Sequence, residues 1–376
     1  MKEEYQIKEA TIQDGKRLIV FLAECFESSI DAFVSLQLKL KEDPKRFATS
    51  HFYMEENGEI VGAAAVFADT LIVQDTVLSI GCVGNVCVKK EYRNQGRMQQ
   101  LMAYASQKLQ QGDFDLAYLG GIRERYHHFG FEVAINAKEY VFPTQDGINA
   151  QLTLKRMSLA SGEDIQVLRA LYDRNIERVD RTHYDFAHVC KTWNNDSYAI
   201  YLNNKIVGYL IYTEELFGVA NVIQEWELQD SSLLQDVLIS FTKMKQLEQV
   251  KLHVGEHEGE KIAQLDKICQ YCGKRPTEMF RFLKVDKCIQ AFLTLKQSYT
   301  TLEQGSLVIG IEKIGNYEIQ VTDTVRVHKT EKVPELYVSS LGLMNIMVHL
   351  GEFVPSNRLT KSWFPLPVYI KNADAM

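Results

Sequence analysis

The sequence predicts an α/β (α+β) fold in three parts: two successive mixed-sheet units at residues 1–145 and 146–286, then a small α+β unit at 287–376. Three observations predict it. A chain of 376 residues is two to three domains long. Strand-type alternation gives way to helical spacing in the order helix, hairpins, strand, helix, strand. The first hairpin also recurs, with Ile60-Val61-Gly62 returning as Ile206-Val207-Gly208 at an offset of 146 residues. Two unrelated hairpins sharing a common triplet are the alternative to a duplication.

Residues 8–41 read as helical, with Leu18, Phe21, Leu22 and Phe26 at three- and four-residue spacing. Strands follow at 51–54 and 59–67, joined through Asn57-Gly58, a dipeptide that favours tight hairpin turns. A further strand pair covers 70–88. A helix is expected over 94–111, where Met98, Leu101, Met102, Ala105 and Leu109 share one face, and Gly112-Asp113 ends it. Strands at 117–119, 129–133 and 139–142 close the first unit. The second unit repeats this order with strands at 198–202, 205–213 and 221–228, a helix at 231–247, a strand at 249–254 and a helix to about residue 271. In the third unit, strands fit 307–311, 317–321 and 325–328, a helix fits 341–350, and an apolar, proline-bearing tail covers 363–370.

The charge balance of −7 provides no field for a general nucleic-acid coat and tolerates a cationic small molecule better. The N-terminal residues carry no apolar secretory segment, and no run reaches the ~18 to 20 apolar residues of a membrane span. Seven scattered cysteines then read as reduced thiols of a cytoplasmic protein. Cys269-x-x-Cys272 is half of a zinc pattern without its second half, so no metal is expected.

Chemistry concentrates at Val86-Cys87-Val88-Lys89-Lys90-Glu91-Tyr92-Arg93-Asn94-Gln95-Gly96-Arg97-Met98, which joins a strand to a helix. A helix N-terminus exposes backbone N–H groups at the positive end of its dipole, the makings of an anion site. Gly96 permits close approach because it has no Cβ, and Arg93, Arg97, Lys89 and Lys90 add charge. A diphosphate suits that chemistry; a basic helix start with nothing bound is the alternative. The turn is neither a P-loop nor a dinucleotide G-x-G-x-x-G.

Strand, basic turn, Gly96, amphipathic helix, strand, then Tyr126-His127-His128-Phe129-Gly130 resembles the GNAT superfamily of N-acetyltransferases, whose R-x-x-G-x-G/A turn holds the pyrophosphate of acetyl-coenzyme A. Met98 stands where a small residue is commoner. The three-part layout is similar to the enhanced-intracellular-survival branch: a catalytic domain, a degenerate second copy and a sterol-carrier-like C-terminal domain. The resemblance implies acetyl-CoA as co-substrate. It implies Val86, Cys87 and Val88 against the pantetheine arm, and Arg93, Asn94, Gln95, Gly96, Arg97 and Met98 around the diphosphate. Gly81 and Gly84 are candidates for a bulge in that strand, and Gly120-Gly121 for a close approach across the cleft. The resemblance assigns Tyr126 as general acid and the Met376 carboxylate as general base, with Asp374 or Glu27 as other acids for that role. A phenol is protonated at neutral pH and suits proton donation to a departing thiolate.

The second copy lacks this equipment. Gln229-Asp230-Ser231-Ser232-Leu233 has neither arginine nor glycine and reads as an ordinary helix cap, and Cys269 falls where Tyr126 stands. The function expected is therefore acetyl transfer to a primary amine of a small acceptor, polycationic amines included, with no nucleic-acid or membrane partner; the branch resembled also implies a homo-oligomer. A non-catalytic acyl-CoA sensor and a lipid carrier are the competing readings.

Overall fold

The computed structural model describes residues 6–37, 43–147, 149–157, 162–181, 186, 189–216, 218–349 and 357–374. A short strand β1 (Ile7–Glu9) precedes helix α1 (Gly15–Cys25), α2 (Ile30–Leu36) and α3 (Pro44–Ser50). The single helix expected over 8–41 is thus divided, because Glu27 takes a left-handed φ of 52° and the Ser29 side chain caps α2. The last residues of that expected helix, 38–41, lie outside the described residues. Next come β2 (His51–Glu56), β3 (Glu59–Val73) and β4 (Thr76–Val88), then α4 (Arg97–Gln111), β5 (Leu116–Leu119), a single turn α5 (Arg123–Tyr126) and β6 (Glu132–Val133).

The chain continues through β7 (Ala137–Pro143), β8 (Leu152–Arg156), α6 (Gly162–Tyr172), β9 (Glu177–Val179), β10 (Asp196–Leu202), β11 (Lys205–Leu216) and β12 (Val219–Leu228). Helix α7 (Leu234–Lys245), β13 (Gln249–Gly255), α8 (Gly259–Ile268), β14 (Tyr271–Arg275) and β15 (Met279–Phe282) follow. The final third holds α9 (Val285–Tyr299), β16 (Gly305–Ile311), β17 (Gly315–Val321), β18 (Val325–Thr330), β19 (Leu336–Val338), α10 (Ser340–Met344) and α11 (Arg358–Trp363). A π-helical turn, Asn345–His349, completes the helix expected at 341–350 as far as the described residues reach.

These elements form two compact units, and their boundaries depart from a simple division of the chain. One unit contains the chain up to Ala134 together with Glu278–Leu366; the other contains Ile135–Thr277 together with residues 367–374 of the tail. In the first unit the strand order is β1-β2-β3-β4-β5-β15-β6. The strand expected to close this sheet at 139–142 pairs elsewhere: β7 lies between β13 and β14 of the second sheet, ordered β14-β7-β13-β12-β11-β10-β8. Its place beside β5 is taken by β15, antiparallel, with Met279 opposite Leu119. Alternating apolar sequence fixes which face of a strand is buried but leaves its neighbour open, and both strands satisfy the same rule.

The repeat is visible in the hairpins. β2 breaks register against β3 between Met54 and Glu55, and β10 breaks against β11 between Ile200 and Tyr201, at the same 146-residue offset. Each hairpin leads to a strand, β4 or β12, that has a parallel neighbour, β5 or β13. In the first unit, α4 buries Leu101, Met102, Ala105 and Leu109 against Val61, Ala64, Val83 and Ala117. Gly81 gives Leu109 room, since a Cβ there would stand 2.4 Å from its Cδ2. The remaining sheet of this unit, β18-β17-β16-β19, is backed by α9, whose Val285, Ile289, Phe292 and Leu293 are buried.

Candidate active site

The site is built on an interruption in the first sheet. β4 pairs with β5 only from Ile80 to Cys82, whereas its pairing with β3 continues to Val88. Beyond Cys82 the β5 side of β4 is therefore an open strand edge among the described pairings, offering backbone groups that an extended amide chain would satisfy. The β3–β4 register shifts by one residue between Ala63 and Ala65, opposite Cys87 and Gly84. The bulge thus falls at Asn85-Val86, with Asn85 at φ 53°, rather than at Gly81 or Gly84. Asparagine tolerates that left-handed conformation better than most side chains.

A histidine absent from the sequence-based assignment holds the bulge. The His51 Nδ1–H donates to the Phe47 carbonyl at 2.5 Å, which leaves Nε2 to accept from Asn85 Nδ2 at 3.1 Å. His51 is buried, and burial pushes its pKa down to about 4. The unfolded chain takes up a proton near ~6.5 and the folded chain only near 4, so stability is lost as pH falls through that window, by about 3 kcal/mol in the limit. Thermal melts at pH 7 and pH 5 are expected to show a larger acid-induced drop for the wild type than for His51→Gln. Equal drops would show that His51 does not carry the effect.

After Val88 the chain turns through Lys90–Tyr92 into α4. Asn94 and Gly96 sit at φ 64° and 79°. The Gln100 N–H donates at 3.1 Å to the carbonyl of Gly96, the N-cap of α4. The first turn of α4 therefore presents its N–H groups at the positive helix end. The four basic side chains expected at this mouth separate into two pairs. The Arg97 guanidinium is buried, lies over the Tyr92 ring at 4.9 Å and bonds Glu56 at 2.8 Å. Lys89 pairs with Glu59 at 3.2 Å. Arg93 and Lys90 are exposed and have no carboxylate partner among the described residues; Arg93 Nε donates to the Val88 carbonyl at 3.0 Å. Of the assigned residues, Arg97 thus contributes its backbone to this turn, and its side-chain charge is spent on Glu56.

Tyr126 lies in the same apolar cluster as Val86, Val88 and Met98. Gly121, at φ 136°, faces its ring so closely that a Cβ would fall 2.9 Å from Cε2. Burial raises the Tyr126 pKa, Arg125 opposes that and Cys87 adds to it, so the phenol stays protonated at neutral pH. The Cys87 thiol is likewise pushed up, by burial and by its hydrogen bond with Cys25. A thiol so protected from ionisation is a poor nucleophile. His127 is tied through Nδ1 to the Arg123 carbonyl at 3.1 Å, and its ring lies tilted at 42° to that of His128. Glu27 is exposed beyond the end of α1.

Met376 lies outside the described residues. Asp374 is buried in the second unit, where Arg181 bridges it at 2.6 Å and Glu225 on β12 at 2.7 Å. Lys371 is held by Glu227 at 2.9 Å, so the tail is pinned on the carboxylates of β12. Asp374 is thus committed to an ion pair and is unsuited to act as a base. After β12, Asp230 caps the next turn by accepting from the Ser232 N–H at 2.9 Å, as expected for a copy without an anion turn. Cys269 and Cys272 are free thiols, and no metal-holding group of side chains occurs among the described residues.

Comparison with known proteins identifies the first part of this architecture: residues 6–134 match the model of an acetyltransferase (GNAT) domain. The whole chain is similar in fold to a GCN5-related N-acetyltransferase from Anabaena variabilis, at 15% identity and TM-score 0.72, covering 99% of this chain and 100% of that one. It is also similar to a probable N-acyltransferase from Enterococcus faecalis, at 14% identity and TM-score 0.72, covering 100% of both chains. The similarity extends to Eis1 from Mycobacterium abscessus, at 14% identity and TM-score 0.66, covering 98% of this chain and 99% of that one. At such identities the likeness is one of fold. No curated protein matches the chain. Among the described residues no helix is long and apolar enough to cross a membrane.

Proposed function

We propose that this chain is an acetyl-CoA-dependent N-acetyltransferase acting on a primary amine of a small acceptor. The observation that carries the reading is the open edge of β4 beyond Cys82, leading directly into the Gly96 turn at the start of α4. Its unpaired backbone groups suit an extended amide arm, and the helix start suits a diphosphate. Val86, Cys87 and Val88 would meet the arm through their backbone. Residues Arg93 to Met98 would meet the diphosphate, with Arg93 supplying side-chain charge and Gly96 close access. Tyr126, kept neutral by burial, would hold the proton delivered to the departing sulfur while the amine attacks the thioester carbonyl directly. The protonated Cys87 favours that direct attack over a cysteine-bound acyl group. The second unit, with Asp230 in place of an anion turn, is read as a degenerate copy. Helix α9 on its four-stranded sheet supports the sterol-carrier-like layout of the last third.

Two arginines separate binding from folding. Arg93→Ala is expected to weaken acetyl-CoA binding about tenfold, the loss of ~1.4 kcal/mol expected of one exposed charge-assisted contact, with an unchanged melting temperature. Arg97→Ala is expected to lower stability by about 1.5 kcal/mol because Glu56 and the Tyr92 ring lose the buried guanidinium. Calorimetric titration with acetyl-CoA and thermal melts of both variants check this. Undiminished binding by Arg93→Ala together with Gly96→Glu would remove the coenzyme from this turn.

A further inference from the structure

At the C-terminal end of α4 the first unit holds a second cavity, of about 290 Å³. Its apolar lining comes from Leu109 on α4, Phe114 ahead of β5, Phe282 on β15, and Leu343 and Met344 on α10, with Gln110 and Ser340 as neutral polar neighbours. Helix α4 is 15 residues long, so some ~20 Å of helix separates this cavity from the Gly96 turn. Three charged groups also line it, Asp113, Lys284 and Arg281, and of these Arg281 is the one without an ion-pair partner among the described residues. Arg281 on β15 is half-buried, its stem lies against Gly130, and its Nη1 donates to Ser106 Oγ at 3.1 Å. No described carboxylate pairs with it. Its neighbour Lys284 differs, being neutralised by Asp113 at 2.8 Å and Asp115 at 3.0 Å.

A guanidinium removed from water without a counter-charge is costly, and native proteins carry such groups where something else completes them. Burial lowers the Arg281 pKa, yet an arginine remains protonated at any physiological pH. The cavity therefore keeps one positive charge that no described carboxylate offsets, with several guanidinium N–H donors beyond the one used on Ser106. We infer that this cavity is a binding site for an aliphatic monocarboxylate, its carboxylate on Arg281 and its chain among Leu109, Phe282, Leu343 and Met344. A carboxylate accepts two parallel hydrogen bonds from a guanidinium, and the volume limits the aliphatic part to a short or medium chain. A phosphate monoester would match the charge as well, but its second negative charge would enter a cavity that the Asp113 carboxylate also lines.

Calorimetric titration of the full-length protein with octanoate tests the assignment, with octan-1-ol and inorganic phosphate as comparators. Saturable octanoate binding is expected, at least tenfold tighter than that of octan-1-ol, with no phosphate binding. Arg281→Met is expected to reduce octanoate affinity at least tenfold and to leave the alcohol unaffected. Arg281→Lys is expected to recover part of the loss. Melting temperatures report whether each variant folds. Leu343→Trp, which fills the cavity without touching the charge, provides an independent variant that should also abolish binding. Absence of octanoate binding by the wild type, or binding insensitive to both Arg281→Met and Leu343→Trp, would overturn the inference. Because octanoate binding is read without acetyl-CoA, this result stands or falls separately from acetyl transfer.

Discussion

Tyr126→Phe is expected to lower kcat for acetyl transfer by about 10²- to 10⁴-fold, the range for loss of a positioned general acid, while acetyl-CoA binding is unchanged. The substitution removes one oxygen and keeps the ring that packs against Gly121, so the cluster of Val86, Val88 and Met98 is preserved. The pH profile supplies a second readout. Burial raises the Tyr126 pKa above its usual ~10, so loss of the phenol proton should add an alkaline limb to the wild-type profile, above ~10. Tyr126→Phe should lack that limb. A variant with wild-type turnover would move the proton donor elsewhere. Stopped-flow detection of released thiol measures both.

The largest effect on stability is expected in the second unit. Arg181 is 1% exposed between Glu225 and Asp374, themselves 0% and 1% exposed, and lies 3.9 Å from the Tyr172 ring centroid. Replacing it by Met strands two buried carboxylates, a change that typically costs about 3–5 kcal/mol. Asp374→Asn, which leaves Arg181 with Glu225, should cost less. Denaturant unfolding followed by far-UV dichroism would show this ordering; a loss below about 1 kcal/mol for Arg181→Met would mean that water or a rearranged tail replaces the clamp. The pH dependence has a defined sign. Burial pushes the Glu225 pKa up, but Arg181 and Lys371 outweigh it and hold the carboxyl below its usual value. The stabilisation is therefore present above ~4.3, where the unfolded glutamate ionises, and is lost as pH falls through the lower folded-state pKa.

Features written in local chemistry were legible from the sequence. Asn57-Gly58 marks a turn because both residues adopt positive φ there, and Asn203-Asn204 does the same in the repeat. The apolar stripe of α4 and the glycine before it locate the helix and its exposed N-terminus. What depends on distant partners was not legible. Nothing within 137–143 says that it joins the second sheet, and nothing within 279–282 says that it takes the place beside β5, because both strands alternate in the same way. The division at residues 286 and 287 also cut through α9, whose apolar spacing from Val285 to Leu295 was available as a signal. At the site, Arg93 and Arg97 look equivalent in sequence; only Glu56, 41 residues upstream of Arg97, distinguishes the exposed one from the buried one. His51 could be found only from the fold, since it acts through Asn85 across two strands.

The central claim is that the β4 edge and the Gly96 turn bring an acetyl group to an amine. Its most direct test is incubation of the protein with acetyl-CoA carrying an isotopic label in the acetyl group and a mixture of small primary amines, with mass spectrometry of the products. Labelled N-acetyl amine is expected with the wild type and none above background with Gly96→Glu, which places a side chain and a negative charge in the turn. Formation of the same labelled product by Gly96→Glu, or none by a wild type that binds acetyl-CoA, would contradict it.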